Sequence, residues 1–153
     1  MKYIILTFII MLSFSGCSKN NAFDNFDLTK NQEKSMNSLQ SSRIFYKQNS
    51  DGIFSAIYLN NIYPKKFKDE EYFFVYFYTK SKAKNIKLKL NNILAIKMQK
   101  LPSENEFTDL VKTKTNWNNY YLVTFKKQDK KNLNLTFENY PYTSDQLVYL
   151  KDL

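Results

Sequence analysis

Residues 72–78 are seven consecutive aromatic or β-branched residues, without the alternation of apolar and polar side chains that marks a half-wet strand. Because successive side chains of a strand point to opposite faces, this run predicts a central strand that is covered on both sides. Phe73, Val75 and Phe77 are assigned to the inner face. The residues that then line the opposite face, as a candidate interaction face, are Phe74, Tyr76 and Tyr78.

Seven other short segments have strand composition, and two of them, residues 86–90 and 133–138, alternate cleanly between apolar and polar. The remaining segments are residues 43–47, 53–60, 93–98, 120–125 and 147–151. About eight short strands separated by turns predict an all-β fold, an antiparallel β-sandwich of about seven to eight strands. Because every second side chain of a strand points to the same face, the inner layer predicted is Phe73, Val75, Phe77, Ile86, Leu88, Leu90, Tyr121, Val123, Phe125, Leu133, Leu135 and Phe137.

Turn signals fall between these segments. Residues 49–52 end in a glycine and predict the first turn, and Asn91-Asn92 predicts a tight turn. Residues 104–111 allow one helical turn, residues 126–132 form a charged hairpin loop, and residues 139–142 turn the chain around a proline.

The amino terminus has the pattern of an export signal. Lys2 precedes an apolar run over residues 3–14, which as a helix covers roughly 18 Å and is too short for a bilayer core of about 30 Å. Ser15 and Gly16 follow, directly before the only cysteine, Cys17.

This junction resembles the lipobox of bacterial lipoproteins, although Phe14 stands where an aliphatic residue is usual. The resemblance implies cleavage between Gly16 and Cys17 and a diacylglyceryl thioether on the Cys17 sulfur. Ser18, in place of an aspartate, implies export to the outer membrane. An ordinary secretory signal with a chance cysteine is the alternative.

The organisation predicted is a signal peptide over residues 1–16, a lipidated tether over residues 17–42 and a β body over residues 43–153. Within the tether, Thr29 and Gln32 fit a capping box for a short helix near residues 30–41. A disordered continuation of the tether is the alternative for that segment.

Three stretches of the body, residues 56–60, 120–125 and 150–152, resemble small immunoglobulin-like lipoproteins of the epsilon class of proteobacteria. The similarity extends over about residues 43–153. It implies an immunoglobulin-like sandwich attached to a lipid, and it brings no catalytic residue. The paired cysteines of antibody domains are absent, since the chain has one cysteine.

Several chemistries are excluded by composition. The chain has no histidine, so neither a Ser-His-Asp nor a Cys-His pair exists, and a zinc site of the usual Cys/His type cannot form. The acidic clusters at 69–71 and 104–109 lack the spacing of a calcium loop, and nothing in the sequence places them across a cleft. We therefore expect no enzyme, no metal and no cofactor.

The chain is basic, with 23 Lys and Arg against 14 Asp and Glu. Lysines cluster at 65–68, 80–84 and 126–131, which favours anionic headgroups or acidic surfaces as partners. Arg43 is the only arginine, so codon bias of an AT-rich genome explains the lysines equally well, and nucleic acid is not expected as a partner.

The function expected is a membrane-anchored lipoprotein of the bacterial envelope with a non-catalytic domain for protein interaction or adhesion. The partner is an envelope or host protein that contacts Phe74, Tyr76 and Tyr78, unless a helix, loop or strand covers that face. Trp117, just before a strand, is predicted to fill the core. The alternative function is a lipid or lipopolysaccharide carrier with an apolar cavity rimmed by lysines.

Overall fold

The computed structural model of the chain describes residues 29–111 and 115–151. The signal junction at Gly16 and Cys17 and the tether up to residue 28 lie outside these residues, so the lipid anchor stays a prediction. Among the described residues, none of the helices has the length and apolar character needed to cross a membrane.

The described residues form an all-β body built from one curled antiparallel sheet. Its strands are β1 (Gln40–Tyr46), β2 (Asn49–Tyr58), β3 (Glu71–Thr79), β4 (Lys87–Leu90), β5 (Ile93–Leu94), β6 (Lys97–Leu101), β7 (Asn119–Phe125), β8 (Asn132–Asn139), β9 (Tyr142–Ser144) and β10 (Leu147–Leu150). Nine of them follow the spatial order β5-β4-β8-β9-β1-β2-β3-β7-β6, and β10 pairs with β8. The predicted fold class is therefore confirmed at the level of all-β structure.

The sheet curls around a core on its inner face. Phe137 in β8 contacts Phe77 in β3 with ring centroids 4.9 Å apart, although β9, β1 and β2 separate these strands in the sheet. Phe137 also lies 5.5 Å from the ring of Phe54 in β2. All twelve residues predicted for the inner layer belong to this core or pack against it, so the alternation of apolar residues was a correct guide.

One segment of chain joins the two ends of the strand path. Strand β5 pairs with β4, and β6 pairs with β7 at the other end of the path. Between them the Ala95 N–H donates to the Leu88 carbonyl at 3.0 Å and the Ile96 N–H donates to the Thr124 carbonyl at 2.9 Å. Residues 93–101, predicted as a single strand over 93–98, therefore cross from one side of the sheet to the other.

A second apolar cluster covers the outer face of β2, β3 and β7. Leu39, directly after the helix α1 (Lys30–Ser38), packs against this cluster, and the helix α2 (Leu59–Ile62) and the 3₁₀ turn Thr108–Leu110 contribute buried residues to it. Phe74 in β3 is fully buried there, stacked at 6.0 Å on the ring of Tyr120. The prediction of Phe74 as a contact residue is therefore wrong, because these elements cover that part of the face.

Helix α1 begins at the predicted capping box. The Gln32 N–H donates to the Thr29 hydroxyl at 3.3 Å, and the Thr29 N–H donates to the Gln32 side-chain oxygen at 2.8 Å. Ser35 is buried and its hydroxyl donates to the Leu110 carbonyl at 2.7 Å. The helix ends at Ser38, before the predicted residue 41, and packs on the body rather than extending a tether.

Strand β1 starts at Gln40, three residues before the predicted start of the β body at 43. The Gln40 side chain meets the outward backbone of β10: its oxygen accepts the Val148 N–H at 2.8 Å, and its amide donates to the Val148 carbonyl. The Asn61 side-chain amide donates to the Leu150 carbonyl at 3.0 Å. Side-chain amides therefore occupy three backbone groups along β10.

The first hairpin turns at Lys47 and Gln48, where Lys47 has φ 55°, and not at the predicted residues 49–52. Gly52 lies inside β2, opposite Ile44 in β1. A Cβ at position 52 would lie 1.8 Å from the backbone oxygen of Tyr78 in the neighbouring strand. The glycine is thus required by close approach of two backbones rather than by a turn.

The charged hairpin loop predicted at residues 126–132 is wrong, because this segment connects β7 to β8 and these two strands do not pair with each other. Two other predicted turns are observed. Asn91 and Asn92 have φ 48° and 68°, which matches a two-residue hairpin of type I′ between β4 and β5. The chain also turns at Tyr140-Pro141, a cis peptide, between β8 and β9.

We predict that Gly52→Ala lowers the free energy of unfolding by about 3 kcal/mol or more, because the new methyl group forces β2 and β3 apart. Urea denaturation followed by circular dichroism measures the change. Ser50→Ala, at an exposed position of the same strand, is the control and leaves the midpoint within about 0.5 kcal/mol of wild type. A wild-type midpoint for Gly52→Ala would contradict the close approach.

Candidate functional site

Exposed aromatic side chains gather at one end of the sheet. This end holds the β1–β2 turn, the end of β3, the start of β7 and the β8–β9 turn, because neighbouring strands are antiparallel. The exposed aromatic residues of the described chain are Tyr46, Tyr78, Trp117 and Tyr140, and all four lie here. We call this surface the aromatic end.

Trp117 and Tyr140 are the most exposed of the four, with 80% and 94% of their surface accessible to solvent. The prediction of Trp117 as a core residue is wrong. It lies in the loop before β7, ahead of Asn119, the first residue of that strand that pairs in the sheet.

An open cleft of about 730 Å³ lies beside the β8–β9 turn. Its lining residues are Asn85, Ile86, Lys87, Glu138, Tyr140, Pro141, Tyr142 and Thr143. The Tyr142 ring meets the Tyr46 ring edge-on at 6.3 Å, and the Lys47 ammonium lies 5.4 Å from the centre of the Tyr46 ring. The cleft therefore continues into the aromatic end.

The charge at this end is positive. The lysines predicted as the cluster at 80–84 lie in the loop after β3, and Lys47 and Lys87 flank them. Asp51 is buried, and its carboxylate accepts the Ser81 N–H at 2.9 Å and the Ser81 hydroxyl at 2.5 Å. Glu138 forms an ion pair with Lys89 at 2.6 Å. These acids are thus engaged, whereas the loop lysines form no ion pair with a described residue.

The opposite end of the sheet carries a buried carboxylate, which sequence reasoning missed. Glu71 is 1% exposed, and one of its oxygens accepts the Lys151 ammonium at 2.6 Å and the Gln128 N–H at 2.9 Å. Its other oxygen accepts the Tyr58 hydroxyl at 2.5 Å. The sequence showed only an acidic run at 69–71, since the partners come from three distant segments.

The environment of Glu71 acts on its pKa in two directions. Burial raises the pKa, but the Gln128 N–H, the Lys151 ammonium and the Tyr58 hydroxyl outweigh this effect and hold the pKa of Glu71 below its ordinary value. The carboxylate therefore stays ionised at neutral pH as a structural anion. It links the start of β3 to the segment after β10.

A pocket of about 410 Å³ opens above this carboxylate. It brings together two of the predicted lysine clusters, since Lys68 and Lys127 both line it and the Lys127 ammonium donates to the Lys68 carbonyl at 3.4 Å. We call it the basic pocket. The cluster at 80–84 lies at the other end of the sheet.

The acidic clusters do not converge. Glu106 forms an exposed ion pair with Lys66, and Glu71 is enclosed by its own donors. Within residues 29–111 and 115–151, no three acidic or cysteine side chains are placed to bind a metal ion.

The predicted interaction residues separate in the structure. Phe74 is buried, Tyr76 is half-buried against Phe74 with ring centroids 5.9 Å apart, and Tyr78 is 42% exposed at the aromatic end. Sequence reasoning missed Tyr46 and Tyr140, and the signal available for them was the position of an aromatic residue next to a turn.

Comparison of the chain with protein-family models, curated proteins and solved structures finds no match.

We predict that Glu71→Gln lowers the free energy of unfolding by about 3 kcal/mol at pH 7, because Lys151 then loses its buried counter-charge. Because the fold lowers the pKa of Glu71, its ionised carboxylate adds to the free energy of unfolding above the ordinary pKa of 4.5. This contribution is lost as the pH falls from there through the lower pKa of the folded state. Wild-type stability should accordingly decline between about pH 5 and pH 3 more steeply than that of the variant.

Urea denaturation at a series of pH values measures both effects. Glu106→Gln, which removes the exposed partner of Lys66, is the matched control and changes stability by at most about 1 kcal/mol. Equal pH profiles for wild type and Glu71→Gln would show that the carboxylate is not stabilised by the fold.

Proposed function

We propose that this chain is a lipid-anchored protein of the bacterial outer membrane whose non-catalytic β body binds a protein partner through the aromatic end. The observation that carries the proposal is the gathering of all exposed aromatic side chains of the described residues at one end of the sheet. Tryptophan and tyrosine are enriched in the binding centres of protein interfaces. The partner is a protein of the envelope or of a host.

The surroundings of these rings suit a protein surface. A cleft of about 730 Å³ beside Tyr140 offers a place for a partner side chain or loop. Lys80, Lys82 and Lys84 form no ion pair with a described residue, and they favour acidic residues on the partner, since complementary charge accelerates association and selects partners.

The anchor part of the proposal rests on the amino-terminal sequence. Cys17 follows Ser15 and Gly16 at the end of an apolar run, which resembles a lipobox. From Cys17 to Thr29, where the described body begins, the chain has 29 − 17 = 12 residues and spans at most about 43 Å. A body tethered in this way stays near the membrane but has room to turn its aromatic end toward a partner.

We also infer that the body is related to the immunoglobulin-like lipoproteins that it resembles. The antiparallel pairing and the contact of β3 with β8 across the core support two facing layers of sheet. A lipid carrier receives less support from the structure. The ring of Phe137 packs against those of Phe54 and Phe77, so aromatic rings occupy the centre between the layers.

We predict that Cys17→Ser removes membrane attachment. Wild-type protein from a bacterial host should fractionate with membranes and have the mass of residues 17–153 plus acyl chains. The serine variant should lack the lipid mass and leave the outer-membrane fraction. If the wild type has no lipid mass and both proteins fractionate alike, the anchor is refuted while the β body is unaffected.

We predict that a photo-crosslinking amino acid at position 140 forms a discrete protein adduct in intact cells of the native species. The same residue at position 150, exposed but at the opposite end of the sheet, is the matched control and forms none. Trp117→Ala in the same chain should reduce the adduct at least fivefold, since interface tryptophans often contribute more than about 1 kcal/mol. Equal labelling from positions 140 and 150 would exclude the aromatic end as the contact surface.

A further inference from the structure

We propose that the basic pocket binds the phosphoryl group of an anionic ligand. Four lysines line it, and they come from separate parts of the chain: α1, the loop before β3, the loop after β7 and the segment after β10. These lysines are Lys34, Lys68, Lys127 and Lys151. Codon bias explains a surplus of lysine in the sequence, but it does not account for convergence of distant lysines on one concavity.

Positive charge exceeds negative charge in the basic pocket, and the negative group already has hydrogen-bond partners. Among the described residues, Glu71 is the only carboxylate that lines it, and its oxygens are occupied by Lys151, Tyr58 and the Gln128 N–H. The four lysines and this one glutamate give the described lining residues a formal charge of +3. The neighbouring acid, Glu70, lines a different cleft beside Tyr72.

The remaining lysines are available for a ligand. Lys34, Lys68 and Lys127 are exposed and form no ion pair with a described residue. Lysine is a point charge with three donors, and such groups bind phosphate oxygens without a fixed geometry. Asn60 and Asn61 on the wall add side-chain amides, each of which already donates one hydrogen bond and retains a second N–H.

The dimensions of the pocket fit a small ligand. About 410 Å³ accommodates a phosphoryl group together with a short polar substituent such as glycerol. Pro64 and Phe67 form the apolar part of the wall and would contact the carbon atoms of that substituent. A multiply charged phosphoryl group matches the charge of the pocket better than a single carboxylate.

The phosphoryl group has two sources, free inorganic phosphate and the headgroup of a phospholipid. The test compares inorganic phosphate with sn-glycerol 3-phosphate by isothermal titration calorimetry at low ionic strength. It uses the mature full chain in neutral detergent. Because neither probe requires an acyl chain on Cys17, the result is independent of the proposed anchor and of the aromatic end.

The decisive variant is Lys34→Gln with Lys68→Gln and Lys127→Gln, all at exposed positions outside the apolar core. We expect it to raise the dissociation constant of the tighter probe at least tenfold. The matched control is Lys80→Gln with Lys82→Gln and Lys84→Gln, which removes the same charge at the opposite end and should change the constant less than twofold. Circular dichroism verifies that both variants are folded.

Each outcome decides the proposal. Tighter binding of glycerol phosphate supports a lipid headgroup as the ligand, and equal binding of the two probes supports free phosphate. No binding of either probe to wild type, or an equal loss in both lysine variants, would overturn the proposal, since the effect would then be absent or due to net charge alone.

Discussion

The body depends on the removal of both faces of β3 from water. Phe73, Val75 and Phe77 enter the inner core, while Phe74 packs under the helices on the outer face. A strand with this composition is stable only if the sheet curls around one side and other elements cover the second side. The capped helix α1, the short helix α2 and the 3₁₀ turn supply that cover, and the buried Ser35–Leu110 hydrogen bond fixes α1 in place.

This requirement also explains how much of the structure the sequence could predict. Alternation located the inner core correctly, and the capping box at Thr29 and the Asn91-Asn92 turn were correct because their causes are local. Gly52 was misread as part of a turn because its reason, the Tyr78 backbone in another strand, is not visible in the sequence. The burial of Glu71 and the exposure of Trp117 likewise depend on residues far away along the chain, as does the strand order.

Since the sheet faces are largely used for packing, the surface chemistry is concentrated at the ends of the strands. One end presents Trp117, Tyr140 and the lysines of the loop after β3 beside an open cleft. The other end places lysines around the ionised carboxylate of Glu71, which is paired with Lys151. Loops tolerate exposed rings and charges better than a covered sheet does, which is why binding residues commonly lie on loops carried by a rigid scaffold.

The side-chain amides along β10 affect how closely spaced copies of the chain can interact. A protein fixed to a bilayer meets neighbours of its own kind in two dimensions, and unsatisfied backbone groups along a strand invite such neighbours to add their own strands. Gln40 already occupies the N–H and carbonyl of Val148, and Asn61 occupies the carbonyl of Leu150. For a chain anchored as proposed, the occupied backbone groups oppose strand-to-strand pairing of neighbouring molecules along β10.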